Sequence, residues 1–215
     1  MQPKKQHPMI KDRYIDISKS RLNQFQDQVP WSKTKRVVEF GSSYGETLED
    51  IGVRNKIKNL IGFDLQEPQS SKITFYKEDL NRINLNKYNK QLKDGDLFLF
   101  LDTLEHLLNP IDLIKNLASI QKKGSYLVVS CPNFKSIRML IAYVKGQLPK
   151  QKYGYFDETH LHWFTEVHLK NILMDNGFKI KKIKFIYSKN KLLKIIQKFL
   201  PTRLTIQFLI VAEKN

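Results

Sequence analysis

The chain has 215 residues, 41% of them hydrophobic, and a formal net charge of +16 from 37 basic and 21 acidic side chains. That length and apolar content fit one compact α/β domain with a full core. The lone Cys131 excludes an intrachain disulfide, and no apolar run approaches the ~20 residues a membrane-spanning helix needs.

The first 35 residues are polar, with one short amphipathic helical pattern from Ser18 to Val29 that Pro30 ends. The opening Met-Gln-Pro-Lys-Lys-Gln-His-Pro lacks the apolar stretch of a signal peptide, so a cytoplasmic protein is expected. From residue 36 onward strand and helix signals alternate. Strands are predicted near 36–40, 59–64, 72–76, 96–101, 124–130, 178–187 and 204–213, and helices near 45–53, 109–121, 135–146, 165–176 and 190–199. Such alternation predicts a mostly parallel sheet with helices on both faces. Leu97-Phe-Leu-Phe-Leu101 is continuously apolar, as in a strand buried on both sides. Asn176-Gly177 stops a helix before the next strand.

Two basic amphipathic inserts interrupt the alternation, at 134–152 and 190–200. In the second, Leu192/Leu193, Ile195/Ile196 and Phe199/Leu200 recur at helical spacing with Lys between them. An ordinary helix packing its apolar stripe explains this pattern. So does a helix lying on an anionic membrane, at its inner face, or on a lipid-linked substrate. The overall charge is equally two-sided: it reflects either a Lys-rich solvated surface or an anionic partner. Between Asp175 and Glu213 no acidic residue occurs, while Lys179, Lys181, Lys182, Lys184, Lys189, Lys191, Lys194, Lys198 and Arg203 fall there. Scarce Arg argues against a reader of DNA base edges.

Chemistry concentrates where strands end. Arg36-Val-Val-Glu-Phe-Gly-Ser-Ser-Tyr-Gly45 runs from a strand into a turn holding Gly41 and Gly45, and Gly62-Phe63-Asp64 ends the next strand in a carboxylate. Such a turn lets backbone lie against a ligand, and such a carboxylate hydrogen-bonds ribose hydroxyls. The turn has no Gly at its third position, where a dinucleotide-binding turn has one. Glu39 would repel a diphosphate but accepts hydrogen bonds from an amino-acid ammonium. S-adenosylmethionine is favoured over NAD.

These pieces together resemble the class I S-adenosylmethionine-dependent methyltransferases, the group that includes methionine-biosynthesis-linked and ubiquinone-pathway enzymes. Val37-Val-Glu-Phe-Gly-Ser-Ser-Tyr-Gly45 is similar to the family's first motif, with Ser43 in place of its middle Gly. Ile61-Gly-Phe-Asp64 resembles the ribose-binding strand end, and Lys77-Glu-Asp-Leu80 the segment that meets adenine. Asp96 to Leu107 resembles the fourth strand with its Glu-His-Leu signature. Val128-Val-Ser-Cys-Pro-Asn133, Thr159-His-Leu-His-Trp-Phe-Thr165 and Gln207 to Lys214 resemble later landmarks, the last being an antiparallel strand. The resemblance covers roughly residues 35–214. It implies a Rossmann-like, doubly wound, seven-stranded, mostly parallel sheet with an antiparallel last strand. Residues 1–35 would be an extension, and 36–215 the methyltransferase domain.

Carried over residue by residue, the resemblance implies that Glu39, Gly41, Ser43 and Gly45 shape the methionine side of the cofactor pocket. Asp64 and Leu65 would meet the ribose, Asp79 and Leu80 the adenine, and Asp102 the space between cofactor and acceptor. His106, His160 or Asp102 would take the acceptor's proton, and Trp163, Phe164, Tyr153 and Tyr155 would wall its pocket. The expected acceptor is a hydroxyl on a small or lipid-linked metabolite, such as a surface-polysaccharide sugar or a quinone-like phenol. Two alternatives stand beside this reading. Asp102, Glu105 and His106 share one face if their turn is helical, and His160 and His162 alternate in an extended segment. The main reading places no metal there. Some relatives bind one through such a pattern, notably 3′-terminal RNA 2′-O-methyltransferases, which implies a metal-assisted RNA methyltransferase using Asp102, Glu105, His106 and His160. The second alternative, motivated by Ser43, is a non-catalytic binding module.

Overall fold

The structure, a computed structural model, describes residues 21–68, 70–152, 154–187 and 205–215. The insert at 190–200, Tyr153 and the first part of the Ser18–Val29 pattern lie outside the described residues. Strands β1 (Arg36–Phe40), β2 (Asn59–Asp64), β3 (Ile73–Lys77), β4 (Leu97–Leu101), β5 (Tyr126–Pro132), β6 (Phe178–Tyr187) and β7 (Thr205–Lys214) form one sheet. Its order is β3-β2-β1-β4-β5-β7-β6. The first five strands run parallel, and β7 is antiparallel to both β5 and β6. The helices that follow β1 are α1 (Glu46–Asn55), α2 (Asn89–Leu92), α3 (Pro110–Ile120), α4 (Ile137–Val144) and α5 (Glu166–Asp175).

All seven predicted strands occur, none displaced by more than two residues. The main addition lies between β3 and β4, where Leu85–Tyr88 forms a 3-10 turn that continues into α2. The Asn84 side chain opens that turn by accepting from the Asn86 amide at 3.1 Å, a local cap that no apolar period announces.

Burial explains the strand pairing. β4, all apolar, is buried along its whole length between β1 and β5. Register places Tyr76, Phe63, Phe40 and Phe100 side by side on β3, β2, β1 and β4. Their rings stack at 5.1, 5.0 and 4.8 Å between centroids. This aromatic row lies just beneath the sheet's C-terminal edge and holds Gly41, Asp64 and Asp102 at fixed spacing. On the other face, Leu22, Phe25 and Val29 pack into the same core as Val37, Leu48 and Ile51. The segment before β1 is therefore part of the packing, and its first described residues, 21–25, are helical. Among the described residues no helix is long and apolar enough to cross a membrane.

Candidate active site

The strand order reverses between β1 and β4, and a crevice opens there at the C-terminal edge, as in other doubly wound sheets. It is a cleft of about 290 Å³ lined by residues that follow β1, β2, β3 and β4, among them Gly41, Asp64, Leu65, Asp79, Leu80 and Asp102. Six predicted cofactor residues thus line one cleft, while Glu39, Ser43 and Gly45 do not reach its lining. His106 also lines it.

The turn after β1 needs its glycines. Gly41 has φ +77, and a Cβ there would come within 2.5 Å of Thr103 Oγ1. Gly45 has φ +84 and a Cβ there would collide with Ile73. Ser43 also adopts a left-handed conformation, φ +47, which L side chains enter at a cost. Its amide donates to Asp64 Oδ2 at 2.8 Å. Asp64 Oδ1 accepts from the Gln66 amide at 2.9 Å. One carboxylate therefore fixes the turns after both β1 and β2. Asp79 caps its own loop in the same way, accepting from the Asn81 amide at 3.0 Å.

Glu39 lies below the turn, 2% exposed, and its Oε2 has no hydrogen-bond partner among the described residues. Burial pushes its carboxyl up to about 8, against the opposing field of Arg21 and with the help of Glu46 and Asp64. Its unpartnered oxygen is free for a hydrogen-bonding group of a ligand, and a cation placed there would favour the ionised carboxylate.

Asp102 stands apart from the predicted trio. Its φ of +55 takes it out of helical geometry, and only Leu104–His106 form the following 3-10 turn. Its carboxylate meets Arg21 at 2.8 Å and the Ser130 hydroxyl at 3.0 Å, and it also accepts from Gln207. With donors on both oxygens, Asp102 is a strut between the N-terminal segment, β5 and β7. The donor atoms that do converge belong to Glu105, His106 and His160, all within 4.8 Å of one another. Asp102 is not in that group, a correction to the four-residue set expected from spacing. Burial, then the charge of Asp102, holds the Glu105 carboxyl well above the usual carboxylate range.

The histidines divide. His162 stacks on Phe164 and approaches the Leu108 carbonyl at 3.3 Å, away from the cleft group. His160 packs edge-on against Trp163 and His106, at 5.5 and 4.8 Å between centroids. Burial, then His106, lowers it below its ordinary 6.5. His106 Nδ1 lies 2.9 Å from Thr159 Oγ1 and 3.3 Å from the Thr159 carbonyl. The Thr159 hydroxyl spends its only proton on Asp157 Oδ1 at 2.6 Å. Both Thr159 oxygens therefore face His106 as acceptors, and neutral His106 must carry its proton on Nδ1. Its Nε2 is left with a lone pair. Burial would raise the Asp157 carboxyl, but the Thr159 hydrogen bonds lower it on balance.

Of the expected acceptor wall, Phe164 belongs to the main core, 3% exposed. Tyr155 donates its hydroxyl to the Asn133 carbonyl at 2.6 Å. Trp163 remains beside His160. Sequence reasoning did not find Arg21, Thr103, Ser130, Asp157, Thr159 or Gln207 as site residues. Only Asp157-Glu158-Thr159 carried a local signal, an Asp accepting from the amide two residues on.

Residues 15–183 match the family described as methyltransferase domain. Among solved structures, the chain is similar to a S-adenosylmethionine-dependent methyltransferase of Archaeoglobus fulgidus, with TM-score 0.68 and 23% identity over 93% of this chain and 94% of that one. A possible histamine N-methyltransferase of Thermotoga maritima matches with TM-score 0.62 and 19% identity, covering 95% and 94%. Magnesium protoporphyrin IX methyltransferase of Synechocystis, with bound S-adenosylhomocysteine, matches with TM-score 0.60 and 16% identity, covering 100% and 90%. No curated protein matches the sequence.

Proposed function

The chain belongs to the methyltransferase-domain family and is a class I S-adenosylmethionine-dependent methyltransferase, and on that premise we propose that it methylates a hydroxyl of a small or lipid-linked metabolite. S-adenosylmethionine supplies a sulfonium-activated methyl group. The residues present fit it: Gly41, Asp64 and Asp79 line one cleft at the sheet's C-terminal edge, and Glu39 offers a buried, unpartnered oxygen. In this reading Glu39, Gly41, Ser43 and Gly45 hold the methionine part, Asp64 and Leu65 the ribose, and Asp79 and Leu80 the adenine. Asp102, tied to Arg21, Ser130 and Gln207, keeps the turn after β4 rigid beside them.

The observation that carries the choice of acceptor is the approach of His106 Nδ1 to both Thr159 oxygens. A hydroxyl becomes a good nucleophile only as its proton leaves, so an oxygen acceptor needs a base in the cleft. His106 lines the cleft, and Asp157 and Thr159 hold its proton on Nδ1 and its lone pair on Nε2. His160, whose charged form burial disfavours, sits at its side. Alignment and exclusion of water supply the rest. Incubation with labelled S-adenosylmethionine and panels of sugar, phenol and amine acceptors tests this. Label in methyl ethers is expected, whereas label only in N-methyl products would overturn the assignment.

A second reading is favoured by the convergence of Glu105, His106 and His160: metal-assisted methylation of RNA, with those three side chains as ligands. RNA methylation abolished by a chelator and restored by Mn²⁺ would select it.

A further inference from the structure

We propose that the outer face of α4 is a docking surface for an anionic lipid bilayer. One side of the helix is spent on the fold: Met139 and Ala142 pack against Tyr155, Phe156 and Trp163. The other side is apolar and covered by nothing among the described residues. Leu140 is 45% exposed, Ile141 49%, Tyr143 82%, Val144 76% and the following Leu148 54%. Leu140, Tyr143 and Leu148, with Phe134, border an open groove of about 830 Å³. An isolated exposed side chain needs no explanation, but a contiguous run on one helix marks a contact surface.

Charge selects the occupant. From Phe134 to Phe156 the sequence has no acidic residue. Lys135 is spoken for, paired with Glu166 at 2.6 Å. Arg138, Lys145, Lys150 and Lys152 are exposed, and none enters an ion pair among the described residues. Exposed aliphatic side chains rimmed by cations match a surface that is anionic outside and apolar just beneath. RNA offers phosphates but nothing that rewards Leu140, Ile141 and Val144. A second copy of this chain, itself at +16, would meet like charge.

The groove also leads toward the cleft: Phe134, which lines it, lies 6.2 Å from Trp163 between ring centroids, and Trp163 packs on His160, which touches His106. A lipid-linked acceptor would thus be presented from the bilayer along the wall that carries the proposed base; this last step rests on the proposed function, while the docking does not.

The test is cosedimentation of the full chain with vesicles of phosphatidylcholine alone or with phosphatidylglycerol. Binding to the anionic vesicles only is expected. Arg138→Glu with Lys145→Glu should weaken it by at least about fivefold per removed charge, and Tyr143→Asp with Val144→Asp should abolish it. Lys150→Glu with Lys152→Glu, outside any helix, gives the same readout should the helix variants fail to fold. Equal binding to both vesicle types, no vesicle binding, variants that bind like wild type, retention on RNA without vesicle binding, or a dimer that Tyr143→Asp dissociates would each overturn the proposal. Calorimetry with S-adenosylmethionine on the same variants should give wild-type heats, which keeps a failure here distinct from a failure of the cofactor site.

Discussion

The Ser43 amide donates to Asp64 Oδ2 at 2.8 Å, so the turn after β1 is held by the carboxylate at the tip of β2. A serine at φ +47 supplies the same amide that a glycine would, but at a steric cost. Ser43→Gly should remove that cost while keeping the hydrogen bond. Stability to urea is expected to rise by roughly 1 kcal/mol, with cofactor affinity held or improved. A less stable variant would mean that the serine side chain makes a favourable contact outweighing the strain.

Glu39 gives the protein a defined pH response. Its carboxyl is raised from 4.5 to about 8 when folded, so the folded chain holds a proton that the unfolded chain has released. Its contribution favours folding in acid and is lost as pH rises from 4.5 through about 8. Glu39→Gln should flatten the decline in melting temperature across that window. A wild-type slope retained in Glu39→Gln would place the titration elsewhere.

The Asp157–Thr159–His106 chain predicts a split between turnover and binding. His106→Ala should lower kcat by about 10²–10⁴-fold, the usual worth of a general base. Thr159→Val should lower it less, by freeing the imidazole's orientation and tautomer. The Kd for S-adenosylmethionine should hold in both. Loss of cofactor affinity alongside kcat would make His106 part of the cofactor pocket instead.

The aromatic row carries stability. Phe100 is fully buried and stacked on Phe40 at 4.8 Å, so Phe100→Ala should cost about 3–5 kcal/mol in denaturant titrations. A loss near 1 kcal/mol would mean that the row repacks around the gap.

Much of this was legible in the sequence because the signals are local. Val37-Val38 and Leu97 to Leu101 read as strands by composition alone, and Gly41, Asp64 and Asp79 sit at strand ends whichever way the sheet is assembled. Long-range geometry was not legible. Arg21 reaches Asp102 across 81 positions, and Thr159 reaches His106 across 53. Nothing near either partner marks the pairing. Asp102 misled for a physical reason: the i, i+3, i+4 rule assumes a helical backbone, and φ +55 breaks it at the first member. The insert at 134–152 showed as basic and amphipathic, but the sequence did not show that one side of α4 lies open, because periodicity reports that a helix has an apolar side and not whether anything covers it.

Equilibrium dialysis of the folded chain against methyl-labelled S-adenosylmethionine tests the central claim most directly. Saturable, stoichiometric uptake is predicted for wild type, with affinity reduced in Asp64→Ala by an amount on the order of 1–3 kcal/mol for ribose hydroxyls left unpaired. No uptake by folded wild type, or wild-type affinity in Asp64→Ala, would contradict the account.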